Sequence, residues 1–250
     1  MGSQAARSLD KRASTIRDMF AGVAPRYDLL NRLISAFLDE GWRRRAAAAL
    51  SSDRGTDQAP APPGPILDLC CGTGDQSRAI YRWARDRRKV AAADFTLPML
   101  ALARSKLSGL GPGAPAPMAA DALELPFPGG AFAGAVVSFG LRNVSDLDRA
   151  LAELARALAP GGRLVVLEAA VPRNRLVRPF HQLYCRYLLP GLGTLLSPRG
   201  SAYRYLPASV TDFPSREAFL ARMAAAGFTD LSFQDLSMGA VCLYVGVATR

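Results

Sequence analysis

Ile66-Leu67-Asp68-Leu69-Cys70-Cys71-Gly72-Thr73-Gly74-Asp75 is the stretch that decides the fold. A short apolar run meets two glycines, and an acid then opens an amphipathic segment. The pattern reads as buried strand, tight turn, helix. Gly72 and Gly74 let the backbone turn sharply and pass close to a ligand where a Cβ would collide. Such a turn lies outside the carboxyl ends of the strands, where open α/β sheets bind ligands.

The same alternation continues outward from this point. Asp75–Arg87 reads as a helix, Val90–Asp94 as a strand, Pro98–Leu107 as a helix and Pro117–Ala120 as a weak strand. Phe132–Phe139 is a strand, Asp146–Leu158 a helix with apolar residues at 147, 151, 154 and 158, and Arg163–Glu168 a strand. Strands alternating with helices imply right-handed crossovers and a mostly parallel α/β sheet of Rossmann-like type. A last helix, Ser215–Ala226, precedes strands Thr229–Leu236 and Gly239–Ala248. Only Ser237-Met238-Gly239 joins these two, so they are expected to form an antiparallel C-terminal hairpin. Pro and Gly mark loops at Ser51–Pro65 and Gly109–Pro117. The chain therefore divides into an N-terminal helical arm, residues 1–58, and an α/β domain, 59–250. An insertion at 171–211 carries six arginines, Arg173, Arg175, Arg178, Arg186, Arg199 and Arg204, and no acid occurs between Glu168 and Asp212.

The chain has 250 residues, half of them apolar and 21% charged, which suits one domain with an arm. No run approaches the roughly 18–20 apolar residues of a membrane span. Met1–Arg12 lacks the apolar stretch of a secretory leader, and Ala6 stands where a myristoylation motif wants Ser or Thr. Cys70, Cys71, Cys185 and Cys242 form no CxxC pair and no metal-ligand cluster with the lone His181. A reduced, cytoplasmic chain without metal is expected. The net charge of +10 favours anionic partners. Arg outnumbers Lys 28 to 3 amid abundant Ala, Gly and Pro, so codon composition accounts for the charge equally well.

Acids recur at the carboxyl ends of successive strands. Asp68 precedes the glycines, placed to meet a cationic ligand through water or backbone. Asp94, 20 residues after Gly74, can accept both ribose hydroxyls of a nucleoside. Asp121, with Ala122 beside it, can accept a hydrogen bond from an adenine amine. The alternative reading makes Asp94 and Asp121 helix caps. No Gly-Lys-Ser/Thr follows the glycines, which excludes a P-loop, and Ser77 replaces the third glycine of a dinucleotide fingerprint. Acids around a glycine turn repel pyrophosphate but tolerate a sulfonium, which favours S-adenosylmethionine over NAD.

Asp68-x-x-x-Gly-x-Gly, Asp94 and the turn Leu158-Ala159-Pro160-Gly161-Gly162-Arg163 resemble class I S-adenosylmethionine-dependent methyltransferases. Four further motifs narrow the resemblance. They are Phe20-x-x-Val-Ala-x-x-Tyr27-Asp28-x-x-Asn31-x-x-x-Ser35 followed by Trp42; Leu125-Pro126-Phe127-Pro128; Ser138-Phe139-Gly140-Leu141-Arg142-Asn143-Val144; and Tyr203-x-Tyr205-Leu206-Pro207-x-Ser209-Val210. Together they resemble the demethylmenaquinone/2-methoxy-benzoquinol C-methyltransferases of menaquinone and ubiquinone synthesis, over nearly all of residues 16–250. The pattern departs at Asp39 and at Ala169-Ala170.

The resemblance implies methylation of the ring of a demethylated prenyl-quinol, demethylmenaquinol first and a ubiquinone-pathway benzoquinol as the alternative. It implies Arg142, Asn143 and Tyr27 as catalytic residues, with Arg142 stabilising phenolate charge and Asn143 bonding a quinol oxygen. Asp28 and His181 are expected to meet substrate. Thr73 and Ser138 join Asp68, Gly72, Gly74, Asp94, Asp121 and Ala122 in holding the cofactor. The acid-free insertion, with interleaved Tyr and Leu, is expected to rest peripherally on anionic lipid at the inner face of the membrane. A homodimer stays open. A nucleic-acid methyltransferase, a non-catalytic scaffold and an NAD oxidoreductase are the competing readings. The first lacks Asn-Pro-Pro-Tyr, the second is opposed by the intact Arg142-Asn143, and the third by Ser77.

Overall fold

The computed structural model describes residues 9–51, 62–84, 87–188 and 201–249. Most of the expected loop Ser51–Pro65, the boundary at residue 58, and Arg199 lie outside them, as do the side chains of Arg186 and Arg204.

Among the described residues seven strands form one sheet in the order β3-β2-β1-β4-β5-β7-β6. They are β1 (Ile66–Leu69), β2 (Val90–Asp94), β3 (Ala116–Ala119), β4 (Phe132–Ser138), β5 (Leu158–Ala169), β6 (Phe228–Leu236) and β7 (Val241–Ala248). The first five pair in parallel, and β7 runs antiparallel between β5 and β6. β1, β4 and most of β5 are buried, as their continuous apolar runs require of strands covered on both faces.

The helices α4 (Asp75–Ala84), α5 (Leu97–Ser108), α6 (Leu147–Ala157) and α9 (Arg216–Ala225) follow the expected alternation. Asp146 caps α6 by accepting from the Arg149 amide, and Ser215 caps α9 through Ala218. Leu151, Leu154, Phe219 and Met223 pack on Leu67, Val137 and Leu164 on one face of the sheet. Ile80 of α4 packs on Ile66, Val136 and Val165 on the other.

The described residues of the arm form three α-helices: α1 (Ala13–Val23), α2 (Tyr27–Ile34) and α3 (Asp39–Ala48). Ala46 and Ala47 of α3 join the core with Ile80 and Val165, so α3 is part of the layer covering the sheet. The insertion forms α7 (Val177–Leu183), a π-helical turn (Tyr184–Leu188) and α8 (Ser201–Asp212).

Two details differ from the sequence reading. Leu158 pairs with Phe132, which extends β5 back through the Pro160-Gly161-Gly162 turn with a register shift. The Ser237–Gly239 link is a single 3-10 turn with Met238 at φ 56°, so β7 begins at Val241.

Candidate active site

The carboxyl ends of β1, β2 and β4 meet beneath the arm around a cavity of about 90 Å³. Cys70 and Gly72 follow β1, Asp94 ends β2, Asp121 and Ala122 follow β3, and Ser138 ends β4. The arm closes the top with Lys11, Ile16, Phe20 and Tyr27.

Gly72 has φ +55° and Gly74 φ +87°. A Cβ on Gly74 would stand 3.0 Å from Leu107 Cδ1. These values explain both glycines: one makes the turn, and the other lets α5 pack against it. The Gly72 amide donates to Asp94 Oδ2 at 2.9 Å and the Thr96 amide to Asp94 Oδ1 at 2.8 Å. Burial raises the Asp94 pKa, while these amides work to lower it. Asp121 Oδ1 accepts from the Leu123 amide at 2.9 Å, and Ser138 Oγ donates to Gln76 Oε1 at 2.9 Å. Gly140 is also required here, since a Cβ on it would lie 2.5 Å from Cys70 Cβ. Cys70 is a packed small side chain whose thiol burial pushes well up, which leaves it inert.

The cavity fits S-adenosylmethionine. Among the described residues two carboxylates line it, Lys11 is its one basic side chain, and no cluster of cations faces it to hold a pyrophosphate. Asp94 would take the ribose hydroxyls, Asp121 and Ala122 the adenine, and Gly72 and Ser138 the remainder.

A second, apolar cavity of about 280 Å³ lies between α2, α3, α7 and α8. Ile34, Leu38, Trp42, Leu206, Val210 and Val241 line much of it, with Arg142, His181 and Tyr184. Tyr27 and Phe139 line both cavities. Asn143 borders the first and Arg142 the second.

Arg142 is 7% exposed and Glu168 1%. Arg142 Nη1 donates to Glu168 Oε1 at 2.6 Å and to the Phe139 carbonyl at 2.6 Å. Burial opposes the charge on Arg142, but Glu168 together with Tyr27 and Tyr205 more than offsets it, so the guanidinium is held above its ordinary value. Arg142 Nε and Asn143 Oδ1 are buried without a partner among the described residues. One donor and one acceptor thus remain free beside the cavities. His181 is half buried, which lowers its pKa and leaves a neutral imidazole at pH 7.

Three sequence-predicted residues sit elsewhere than expected. Asp68 is fully buried and lines neither cavity. Its Oδ2 accepts from Ser77 Oγ, and burial pushes its carboxyl up to about 7. Thr73 does not face the first cavity, because its hydroxyl donates to Asp28 Oδ1 at 2.5 Å and accepts from Lys106 Nζ at 3.1 Å. Asp28 lies outside the apolar cavity and pairs with Lys106 at 2.6 Å, which ties α2 to the glycine loop.

Glu168, Lys106, Gln76 and Tyr205 were not singled out from sequence. An acid closing the apolar run of β5 was a readable signal for Glu168. Lys106, one of only three lysines, offered a weaker one. Tyr205 stood in the motif Tyr203-x-Tyr205-Leu206-Pro207 without a role; it lies in a small cavity with Tyr27, Arg142 and Asn143 and has its hydroxyl buried without a partner among the described residues.

The chain is 46% identical over 228 residues to a demethylmenaquinone methyltransferase of Thermus thermophilus, covering 91% of this chain and 99% of that protein. It is 40% identical over 239 residues to a ubiquinone/menaquinone biosynthesis C-methyltransferase UbiE of Geobacter sulfurreducens, covering 95% and 90%. Among solved structures, a SAM-dependent methyltransferase of Thermotoga maritima, titled a possible histamine N-methyltransferase, superposes with TM-score 0.62 at 18% identity over 92% of this chain and 99% of that one. Geranyl diphosphate C-methyltransferase of Streptomyces coelicolor gives 0.59 at 17% over 84% and 79%. The model of the ubiE/COQ5 methyltransferase family matches residues 7–248, and with the acid-lined nucleoside cavity this makes the chain a member of that family and an S-adenosylmethionine-dependent methyltransferase.

Proposed function

We propose that the enzyme methylates a ring carbon of a demethylated prenyl-quinol, with demethylmenaquinol as substrate and a ubiquinone-pathway benzoquinol as the second reading. The observation that carries this is Tyr27, which stands between the acid-lined cavity and the apolar one, with Arg142 and Asn143 beside it. The name of the Thermus relative favours the naphthoquinol, and that of the Geobacter relative covers both rings.

S-adenosylmethionine supplies a methyl group on a positively charged sulfur. The chain must hold the acceptor ring, raise its electron density and exclude water. Arg142 Nε is free to donate to a quinol oxygen and stabilise its anion. Asn143 Oδ1 is free to accept from a hydroxyl. Glu168 fixes the guanidinium and balances its charge. His181, neutral and in the apolar cavity, can contact a second ring oxygen. Tyr27 and Phe139 line both compartments and hold them side by side.

The apolar cavity is flanked by exposed apolar side chains. Leu29 and Leu33 lie one turn apart on α2, followed by Phe37 and Leu38. Leu176, Phe180, Leu183 and Tyr187 recur at i, i+4, i+7 and i+11, with Leu176 at 79% and Phe180 at 75% exposure. Arg173, Arg175 and Arg178 adjoin them, and no acid interrupts the insertion. This lip suits shallow contact with an anionic bilayer on the cytoplasmic side, from which a prenylated ring would enter. Among the described residues no helix is long and apolar enough to cross a membrane.

The test is transfer of labelled methyl from S-adenosylmethionine to short-chain demethyl-naphthoquinol or methoxy-benzoquinol, with Arg142→Ala in parallel. Transfer to the naphthoquinol and a loss of about 10²–10³ in kcat for the variant are expected. No transfer to either ring, or full activity of Arg142→Ala, would overturn the reading. Flotation with anionic vesicles, compared with Phe180→Glu, tests the lip.

A further inference from the structure

A third cavity, of about 260 Å³, lies between α2, α3 and α4, and shares no lining residue with the acid-lined cavity. Five arginines line it: Arg32, Arg43, Arg44, Arg78 and Arg82. We propose that it binds a phosphate group.

The argument rests on where the guanidinium protons go. Several other buried or partly exposed arginines donate to acceptors: Arg142 to Glu168, Arg156 to the Phe127 and Leu125 carbonyls, Arg216 to Asp235 and Gly239. The five around this cavity donate no side-chain hydrogen bond to any described residue. Three of them stand near carboxylates at long range: Arg32 to Glu40 at 3.7 Å, Arg43 to Asp39 at 3.7 Å and Arg78 to Asp75 at 3.5 Å. Arg44 and Arg82, both exposed, have no ion pair among the described residues. Arg43 is 9% exposed and its Nε is buried without a hydrogen-bond partner.

Five guanidiniums against three carboxylates leave an excess charge of two in one concave site. Crowded like charges with free donors are stabilised by an oxyanion, and the guanidinium fork matches the spacing of phosphate oxygens. The exposed Arg44 and Arg82 give access, and the buried Arg43 supplies the base. Asp39 and Arg43 also line the apolar cavity, so an anion drawn to Arg43 would be felt there. The phosphate could belong to a soluble molecule or to a phospholipid headgroup, since the exposed Leu33, Phe37 and Leu38 adjoin Arg32. The inference does not depend on the identity of the ring substrate.

The test is titration calorimetry of the full chain with inorganic phosphate. Wild type is compared with Arg44→Ser/Arg82→Ser, and with Arg87→Ser/Arg104→Ser, which removes equal charge from exposed sites outside the cavity. Saturable binding, weakened about tenfold or more in the first variant and unchanged in the second, is expected. Co-sedimentation with phosphatidylglycerol-containing vesicles then assigns the source. A parallel loss in Arg44→Ser/Arg82→Ser points to a lipid headgroup, and unchanged vesicle binding points to a soluble phosphate. No saturable phosphate binding by wild type, or equal weakening in both variants, would overturn the proposal.

Discussion

Replacing Glu168 with Gln would strand the Arg142 charge in the protein interior. Glu168 is 1% exposed and its carboxylate accepts three times: from Arg142 Nη1 at 2.6 Å, from the Arg142 amide at 3.3 Å and from the Ala169 amide at 3.0 Å. A carboxamide keeps one acceptor oxygen but turns an NH2 toward a donor. Breaking a buried pair from one side costs about 3–5 kcal/mol, and at about 2–4 °C per kcal/mol for a chain this size the melting midpoint should fall by about 6–20 °C. Arg142→Met/Glu168→Leu, which removes both charges, should regain most of that stability because no uncompensated charge remains. It should still lack methyl transfer, because the donor proposed for the quinol oxygen is gone. Thermal denaturation and single-turnover transfer, measured on wild type, Glu168→Gln, Arg142→Met and the double, separate the two roles. A midpoint for Glu168→Gln within about 2 °C of wild type, or a double no more stable than the single, would refute the reasoning about a buried, mutually dependent pair.

Three further outcomes are expected. The native carboxyl of Asp68 titrates at about 7 against an ordinary 3.8, so the folded state holds a proton that the unfolded chain releases above about pH 4. Stability should fall as pH rises from about 4 through 7 and then level off, and Asp68→Asn should flatten this slope in urea midpoints; an unchanged slope would contradict the buried proton. Gly74→Ala places a Cβ 3.0 Å from Leu107 Cδ1 at φ +87°, and should cost about 1–3 kcal/mol, seen as a lower denaturant midpoint at constant m. Asp28→Ala frees Thr73 and Lys106 from the arm. That pair is partly exposed, so stability should change by less than about 1 kcal/mol. Stopped-flow release of S-adenosylhomocysteine should nonetheless quicken, and identical release rates would show that this contact does not restrain the arm.

The alternating sheet, the glycine turn, the acids at the ends of β2 and β3 and the closing hairpin were legible because each is a local signal. Apolar periodicity fixes which face of a segment is buried, and two glycines in one turn constrain the backbone around them. The readings that needed revision concern where a polar side chain finds its partner. Thr73 read as a cofactor contact, yet its hydroxyl is taken by Asp28, 45 residues away. Asp68 read as facing a cation, yet burial beneath the loop turns it to Ser77.

By itself the sequence determined the class of fold, the nucleoside cavity and the family motifs that place Arg142 and Asn143 after β4. Only the tertiary structure decided which residues share a cavity. It brings Tyr27 of α2 and Phe139 to the walls of the same cavities, sets Glu168 of β5 on Arg142, ties Tyr184 to the Ile34 carbonyl across 150 residues, and gathers five arginines from three helices around one space. Secondary structure follows from neighbours along the chain, whereas these meetings follow from how the arm and the insertion pack over the end of the sheet, which no local spacing encodes.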